Sequence, residues 1–310
     1  MEELYKKART FIYRNARPLD FARWRFHFEN GTGQAVLDAL SQYQNGDGGF
    51  GHALEADAWN PVSTPVQTWT ATEIVRETGI DDPSNEIVRG ILRYLESGRD
   101  FDGTCWYFAV KSNAAYPHAP WWHTENDTAN GGDYNPSASL AGFILRNAQR
   151  DSALYDLGSR VAQEAFSQLQ EGAHENGMHT LTCYVRLLQY LTEAGISDVI
   201  DLAALEDTLR GHVRAAITQE TETWETAYVC KPSQFLESPQ SVFYAGSREI
   251  AEFECEFIQK TQLDDGSWNV NWNWGAYPDE WAVSRNWWKS AVIIRNLLYL
   301  RGFGRLKTQP

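Results

Sequence analysis

Apolar residues recur at three- and four-residue spacing through most of the chain, and no segment sustains a two-residue alternation. Residues 33–44 put Val36, Leu37, Leu40 and Tyr43 on one helical face. The same spacing runs through 85–96, 152–170, 177–193, 202–217, 248–262 and 280–300, with a further helix over 2–15. Almost no strand is expected. The helices fall into pairs. Residues 33–44 pair with a helix from about 61 to 78, and 85–96 with one that starts near 135. Residues 152–170 pair with 177–193, and 202–217 with a segment at 224–235 that Pro232 interrupts. The last pair is 248–262 with 280–300. Asn60-Pro61 and Asn135-Pro136 read as helix starts, because Asn accepts an orphan N–H and Pro has none to orphan.

Within each pair the first helix is amphipathic and the second is apolar or small-residue-rich around its girth. Residues 89–93 against 137–145 show the contrast. A helix that is apolar on all sides is buried. The expected fold is therefore all-α, an (α/α) toroid of five to six hairpins with inner and outer helices. No Ser/Gly/Pro-rich linker divides it, so 1–310 reads as one domain, with the helix at 2–15 completing the ring.

Three turns share a pattern: YQNGDGGF at 43–50, DFDGTCW at 100–106 and TQLDDGSW at 261–268. Asp47 and Asp102 are 55 residues apart, and Asp102 and Asp265 are 163 apart, about three times as far. A turn that recurs at a fixed period marks a repeat architecture. Residues 262–268 resemble the glutamine–tryptophan motif of triterpene cyclases, a Gln followed at short range by Gly-x-Trp. Residues 44–50 are similar, with Phe50 in the Trp place, and the middle copy lacks its Gln. The pattern also resembles the turns of protein prenyltransferase β-subunits. Together with GGFGHALEAD at 48–57 and YPHAPWWH at 116–123, it makes the chain resemble small bacterial proteins of the terpenoid cyclase/protein prenyltransferase toroid superfamily.

That resemblance implies an aromatic-lined central cavity acting on an isoprenoid or another apolar small molecule. Class II cyclases of the family protonate an alkene from a DxDDTA acid. Here 124–129 reads TENDTA, and Asn126, at the donor position, has no acidic proton to give. Glu125 or Asp127 would have to take the role. DDPSNE at 81–86 is a loose version of the diphosphate-binding DDxxD, and Mg²⁺ would enter with a diphosphate substrate. A turn with a helix cap is the simpler reading of that segment. No other cofactor is implied, and no Asp, Cys and His converge as a prenyltransferase zinc site requires.

Composition narrows the partners. The net charge is −14, which argues against nucleic acid and anionic membrane surfaces, whose binding proteins need basic patches. No apolar run is long enough to span a bilayer, and MEELYKKARTFIYR lacks a signal-peptide core. Cys105, Cys183, Cys230 and Cys255 form no CxxC pair, so a reduced, cytoplasmic protein is expected. The chain holds 13 Trp, 14 Tyr and 14 Phe, many of them in expected loops, where they either plug the core or line a ligand site.

In a toroid, the loops before the inner helices converge at one end of the central cavity. Those loops place the candidate catalytic acids Asp127, Glu125, Asp57 and Glu225. Candidate substrate-binding residues are His52, Glu55, Tyr116, His118, Trp121, Trp122, His123, Asp133 and Tyr134, then Trp274, Tyr277, Trp281 and Arg285. Aromatics mixed with ionisable groups are the profile of a small-molecule site. His118 and His123 with Glu125 and Asp127 fit no tight metal-ligand spacing, so no metal is assigned. Paired carboxylates beside Trp platforms equally suit a carbohydrate-active toroid, with Asp57 and Asp127 or Glu55 and Glu225 as acid and base. A toroid that binds a ligand without transforming it is the third reading.

Overall fold

The structure, a computed structural model, describes residues 1–80, 82–127, 133–172 and 177–306. The described chain is all-α. Its helices are α1 (Glu2–Asn15), α2 (Pro18–Phe28), α3 (Gly33–Leu40), α4 (Pro65–Thr78), α5 (Glu86–Glu96), α6 (Ser137–Asn147), α7 (Ala153–Glu171), α8 (Met178–Ala194), α9 (Leu202–Ala216), α10 (Arg248–Lys260) and α11 (Pro278–Gly302). Only isolated β-bridges occur among the described residues, and no sheet. No helix among them is long and apolar enough to cross a membrane. The helices group into two compact units, one of Met1–Ala39 with Val213–Pro310, the other of Leu40–His212.

The 40–212 unit is built around α6. Every residue of that helix except Arg146 is buried, as its SASLAGFILRN sequence requires. Burying Leu140, Phe143, Ile144 and Leu145 alone contributes on the order of 6–10 kcal/mol. Small residues let the neighbours close in. A Cβ on Gly142 would meet the Tyr190 ring at 2.9 Å, and one on Gly158 of α7 would meet Ile144 at 2.7 Å. By contrast, α5 buries one face, with Ile87, Val88, Ile91, Tyr94 and Leu95 inward and charged residues outward.

The recurring turns are stitches. Gln44 Nε2 donates to the Gly48 carbonyl at 3.0 Å and to the Ile87 carbonyl of α5 at 3.2 Å. Gly48, at φ 94, lies so close to α5 that a Cβ would sit 2.1 Å from the Gly90 oxygen. In the other unit Gln262 Nε2 donates to Gly266 O at 3.0 Å and to Leu4 O of α1 at 2.8 Å. A Cβ on Gly266, at φ 92, would fall 2.1 Å from Lys7 O. In both copies the Gln bonds one carbonyl of the facing helix and the Gly lies close against the carbonyl three residues further on. The acids serve the same purpose. Asp47 accepts from Gly49 N and Ser63 Oγ and pairs with Arg99 at 2.9 Å. Asp265 accepts from Ser267 N and Oγ and pairs with Lys289 at 2.9 Å. The middle turn has no Gln, and a Cβ on Gly103 would meet nothing within 4 Å.

Four expectations need correction. The helix after the first turn begins not at Pro61 but at Pro65, capped by Thr64, whose hydroxyl accepts from Gln67 N at 3.2 Å. Asn60 instead spends its side chain across loops. Pro136 likewise precedes α6 and is not its first residue. The segment 224–235 forms no α-helix, only short 3-10 turns at Thr221–Thr223 and Pro232–Gln234, so the fourth pair lacks its second member. Finally, 18–28, to which the apolar spacing assigns no helix, forms α2, whose apolar residues are spread around it without one dominant face. Asp81 of the DDPSNE segment and Thr128 and Ala129 of TENDTA lie outside the described residues.

Candidate functional site: a paired loop carrying a histidine relay

Two loops of the 40–212 unit, 51–64 and 107–127, are knitted together ahead of α4 and α6. Trp59 N donates to Pro117 O at 2.9 Å and Ala119 N to Asp57 O at 2.8 Å, placing Ala58 opposite His118. Asn60 is fully buried and clamps the pair. Its Nδ2 donates to Ser112 Oγ at 2.8 Å and Asn113 Oδ1 at 2.9 Å, and its Oδ1 accepts from Val62 N at 3.0 Å. Asn113 Nδ2 then reaches the Trp122 carbonyl at 3.1 Å. Gln67 of α4 accepts from Leu54 N at 2.9 Å and donates to Asn60 O at 3.0 Å. These bonds hold His52 and Ala53 at φ 59 and 61, a left-handed backbone that costs a non-glycine residue about 1–2 kcal/mol.

On this frame the structure brings three candidates into one chain of contacts. His118 Nδ1 lies 2.6 Å from Tyr116 O, His118 Nε2 lies 3.0 Å from His123 Nδ1, and His123 Nε2 lies 3.3 Å from Glu125 Oε1. The two rings are nearly coplanar, at 11°, which suits an in-plane hydrogen bond. Donor logic fixes the protons. A carbonyl only accepts, so His118 carries its hydrogen on Nδ1, and its Nε2 accepts from His123 Nδ1–H. The remaining His123 nitrogen, Nε2, faces the Glu125 carboxylate. The chain runs from a buried ring to water: His118 is buried, whereas the side chains of His123 and Glu125 are 49% and 82% exposed.

The other candidates of this unit take their places around the frame. Glu55 and Asp57 are buried, and Glu55 Oε2 accepts from Asp57 N at 3.0 Å. His52 Nε2 lies 3.0 Å from Asn45 Oδ1. Trp121 is exposed, whereas Trp122 is buried against Phe108 with its indole N–H unpartnered among the described residues. Asp127 accepts from Lys111 N at 2.7 Å, bracing the second loop. Asp133 accepts from Thr180 Oγ1 of α8 at 3.0 Å. Tyr134 is buried beside Cys105, and burial first, then that thiol, pushes its phenol up.

Glu225, Trp274, Tyr277, Trp281 and Arg285 belong to the other unit. Trp274 and Trp281 are buried together, ring centroids 5.6 Å apart, while Glu225, Tyr277 and Arg285 are exposed. That unit also contains a cluster the sequence did not announce. Glu254 is buried on α10 and accepts from Ser233 N at 2.7 Å and Ser233 Oγ at 2.5 Å; burial pushes its carboxyl up against those donors. Lys231 stands nearby, its Nζ 4.7 Å from the Phe257 ring centroid and 5.7 Å from that of Trp224. No periodicity marks this group, because its members come from the irregular stretch at 224–233 and from α10. All four cysteines are buried free thiols, and no cluster of His, Cys, Asp and Glu suited to a metal occurs among the described residues.

No family model matches the chain, and neither a curated protein nor a solved structure matches it. Its chemistry therefore rests on the geometry above.

Proposed function

We propose that the paired loops form a water-accessible general acid–base site, and that the protein acts there on a polar, uncharged small molecule, a glycoside before an isoprenoid. The observation that carries this reading is the His118–His123–Glu125 chain, buried at one end and wet at the other. The row ends on the Tyr116 carbonyl, which takes no proton, so proton exchange with a bound hydroxyl runs through the exposed His123–Glu125 end, with His118 holding the His123 ring in place. Histidine titrates near neutral pH, which suits transfer to and from oxygen leaving groups and hydroxyls. An imidazolium is too weak an acid to protonate an isolated alkene, the step that starts a class II terpenoid cyclisation. Trp121, 40% exposed and two residues from His123, offers a flat face to a sugar ring. Under an isoprenoid reading the acid would have to come from the buried Glu55 or Asp57, and an isoprenoid diphosphate would bring Mg²⁺ with it.

The test is a thermal-shift panel of oligosaccharides and isoprenoid diphosphates, with and without Mg²⁺, followed by turnover of nitrophenyl glycosides. Oligosaccharides should raise the melting temperature of the parent and not of Trp121→Ala. Turnover should drop at least 100-fold in His123→Gln. Stabilisation by isoprenoid diphosphates alone, or by no ligand in the panel, overturns the proposal.

A further inference from the structure

We propose that Lys231 is a carbonyl-reactive amine, a site at which an uncharged aromatic or apolar aldehyde forms an imine with the protein. The surroundings of Lys231 set it apart from the other described lysines. Lys6, Lys7, Lys260 and Lys289 pair with Glu2, Asp264, Glu256 and Asp265 at 2.6, 3.8, 3.1 and 2.9 Å. Lys111 is exposed. Lys231 is half-buried, forms no ion pair with a carboxylate of the described residues, and contacts two aromatic faces instead. The carboxylate best placed to hold its charge, Glu254, already accepts from the Ser233 amide and hydroxyl.

Every charged group that acts on the amine is identifiable. Burial disfavours its ammonium most, Glu254 of α10 partly offsets this, and Arg295 of α11 adds repulsion; together they bring the amine down to about 8. At pH 7 about one-tenth of such an amine is free base, against fewer than about one in a thousand for an ordinary lysine. Trp224 is fully buried, but the Phe257 ring 4.7 Å from the amine is part-exposed and is the face an aromatic or aliphatic carbonyl compound would lie along. Phe253, 37% exposed and with its ring 5.5 Å from that of Trp224, extends the apolar surface outward. The chemistry balances without a further reagent. The Nζ lone pair forms a bond to the carbonyl carbon, the C=O π pair moves to oxygen, and a proton passes from nitrogen to that oxygen. The carbinolamine then loses its hydroxyl and its remaining N–H proton together as one molecule of water, which leaves the neutral imine.

The test uses the full chain with benzaldehyde as probe and cyanoborohydride to trap imines, mapping the seven lysines by peptide mass at several pH values. Lys231 should be labelled at least tenfold faster than Lys111 at pH 7, with its labelling rate half-maximal near pH 8. The preference should vanish in urea and the labelled peptide should be lost in Lys231→Arg. If the aromatic faces serve only to bind the ammonium, Lys231 is labelled no faster than Lys111, or is half-maximal at pH 10 or above, and the proposal is overturned.

Discussion

Alanine at Gly48 and at Gly103 should have very different costs, although the two glycines share a backbone conformation. Gly48 has φ 94 and Gly103 has φ 104, so each substitution forces a side chain into the left-handed half of the map. That costs about 1–2 kcal/mol, partly offset by about 0.4–1 kcal/mol from a stiffer unfolded chain. For Gly103→Ala nothing more is added, because the new Cβ meets nothing within 4 Å. For Gly48→Ala the Cβ would lie 2.1 Å from Gly90 O, and the turn must retreat from α5 by roughly an ångström. That retreat breaks the Gln44 bond to Ile87 O and exposes the packing beneath it. A lost hydrogen bond with a stranded partner costs about 1–3 kcal/mol. We expect about 1 kcal/mol for Gly103→Ala and about 3–5 kcal/mol for Gly48→Ala, read from urea midpoints followed by circular dichroism. The double variant with Gln44→Ala should fall short of additivity by more than about 1 kcal/mol, since both changes sever the same stitch. Equal costs for the two glycines would refute the close contact with α5.

Further outcomes follow from the charged and buried polar groups. Lys231 binds fewer protons folded than unfolded between about pH 8 and its ordinary value, so its burial costs about 3 kcal/mol at pH 7, and that cost disappears as pH rises through this window. Lys231→Met should therefore gain stability over the parent at pH 7 and lose that advantage by pH 10.5; an equal difference at both pH values contradicts the assignment. Burial pushes the Glu29 carboxyl up, but donors from Trp24, Tyr13 and Arg9 outweigh it and hold it below the usual range. Its contribution is present above the ordinary carboxylate value and lost as pH falls through the folded one, so Glu29→Gln should flatten that part of the acid limb in pH-dependent urea titrations. Asn60→Ala strands Asn113 and Val62 and should cost about 2–4 kcal/mol, with amide exchange accelerated first across 107–127. Long-range ¹H–¹⁵N spectra should show His118 as the Nδ1–H tautomer, and finding it as Nε2–H would remove the proton order assigned to the relay.

The all-α fold was legible because apolar residues recur at three- and four-residue spacing along the whole of 152–170 and 177–193, which match α7 and α8 within one or two residues. The turns were legible because glycine at positive φ and a Gln four residues ahead are local requirements. The start of α4 was not, since Thr64 and Asn60 are both good caps and only the burial of Asn60 between two loops decides which one serves. The missing helix at 224–235 had a visible sign in Pro232, but the strength of Trp224 as a core plug depends on contacts with α10. At the candidate site, sequence placed His118, His123 and Glu125 in one loop. It could not show that their nitrogens and oxygen would line up, because that depends on the partner loop at 51–64. Lys231 and Glu254 lie 23 residues apart in different surroundings, and no spacing rule links them.

The Gln262 bond to Leu4 O has a consequence for the order in which the chain is made, because it joins residues 258 apart. The 40–212 unit is one uninterrupted stretch and can fold as soon as it leaves the ribosome. Its companion cannot: α1 and α2 are translated early, yet α11, the helix packed against both, comes at the far end of the chain. At about 5–20 residues per second, the stretch beyond residue 212 takes on the order of 5–20 s to appear. For that interval a greasy leading segment is tethered to a finished neighbour, and chaperones that bind exposed apolar helices have their window there.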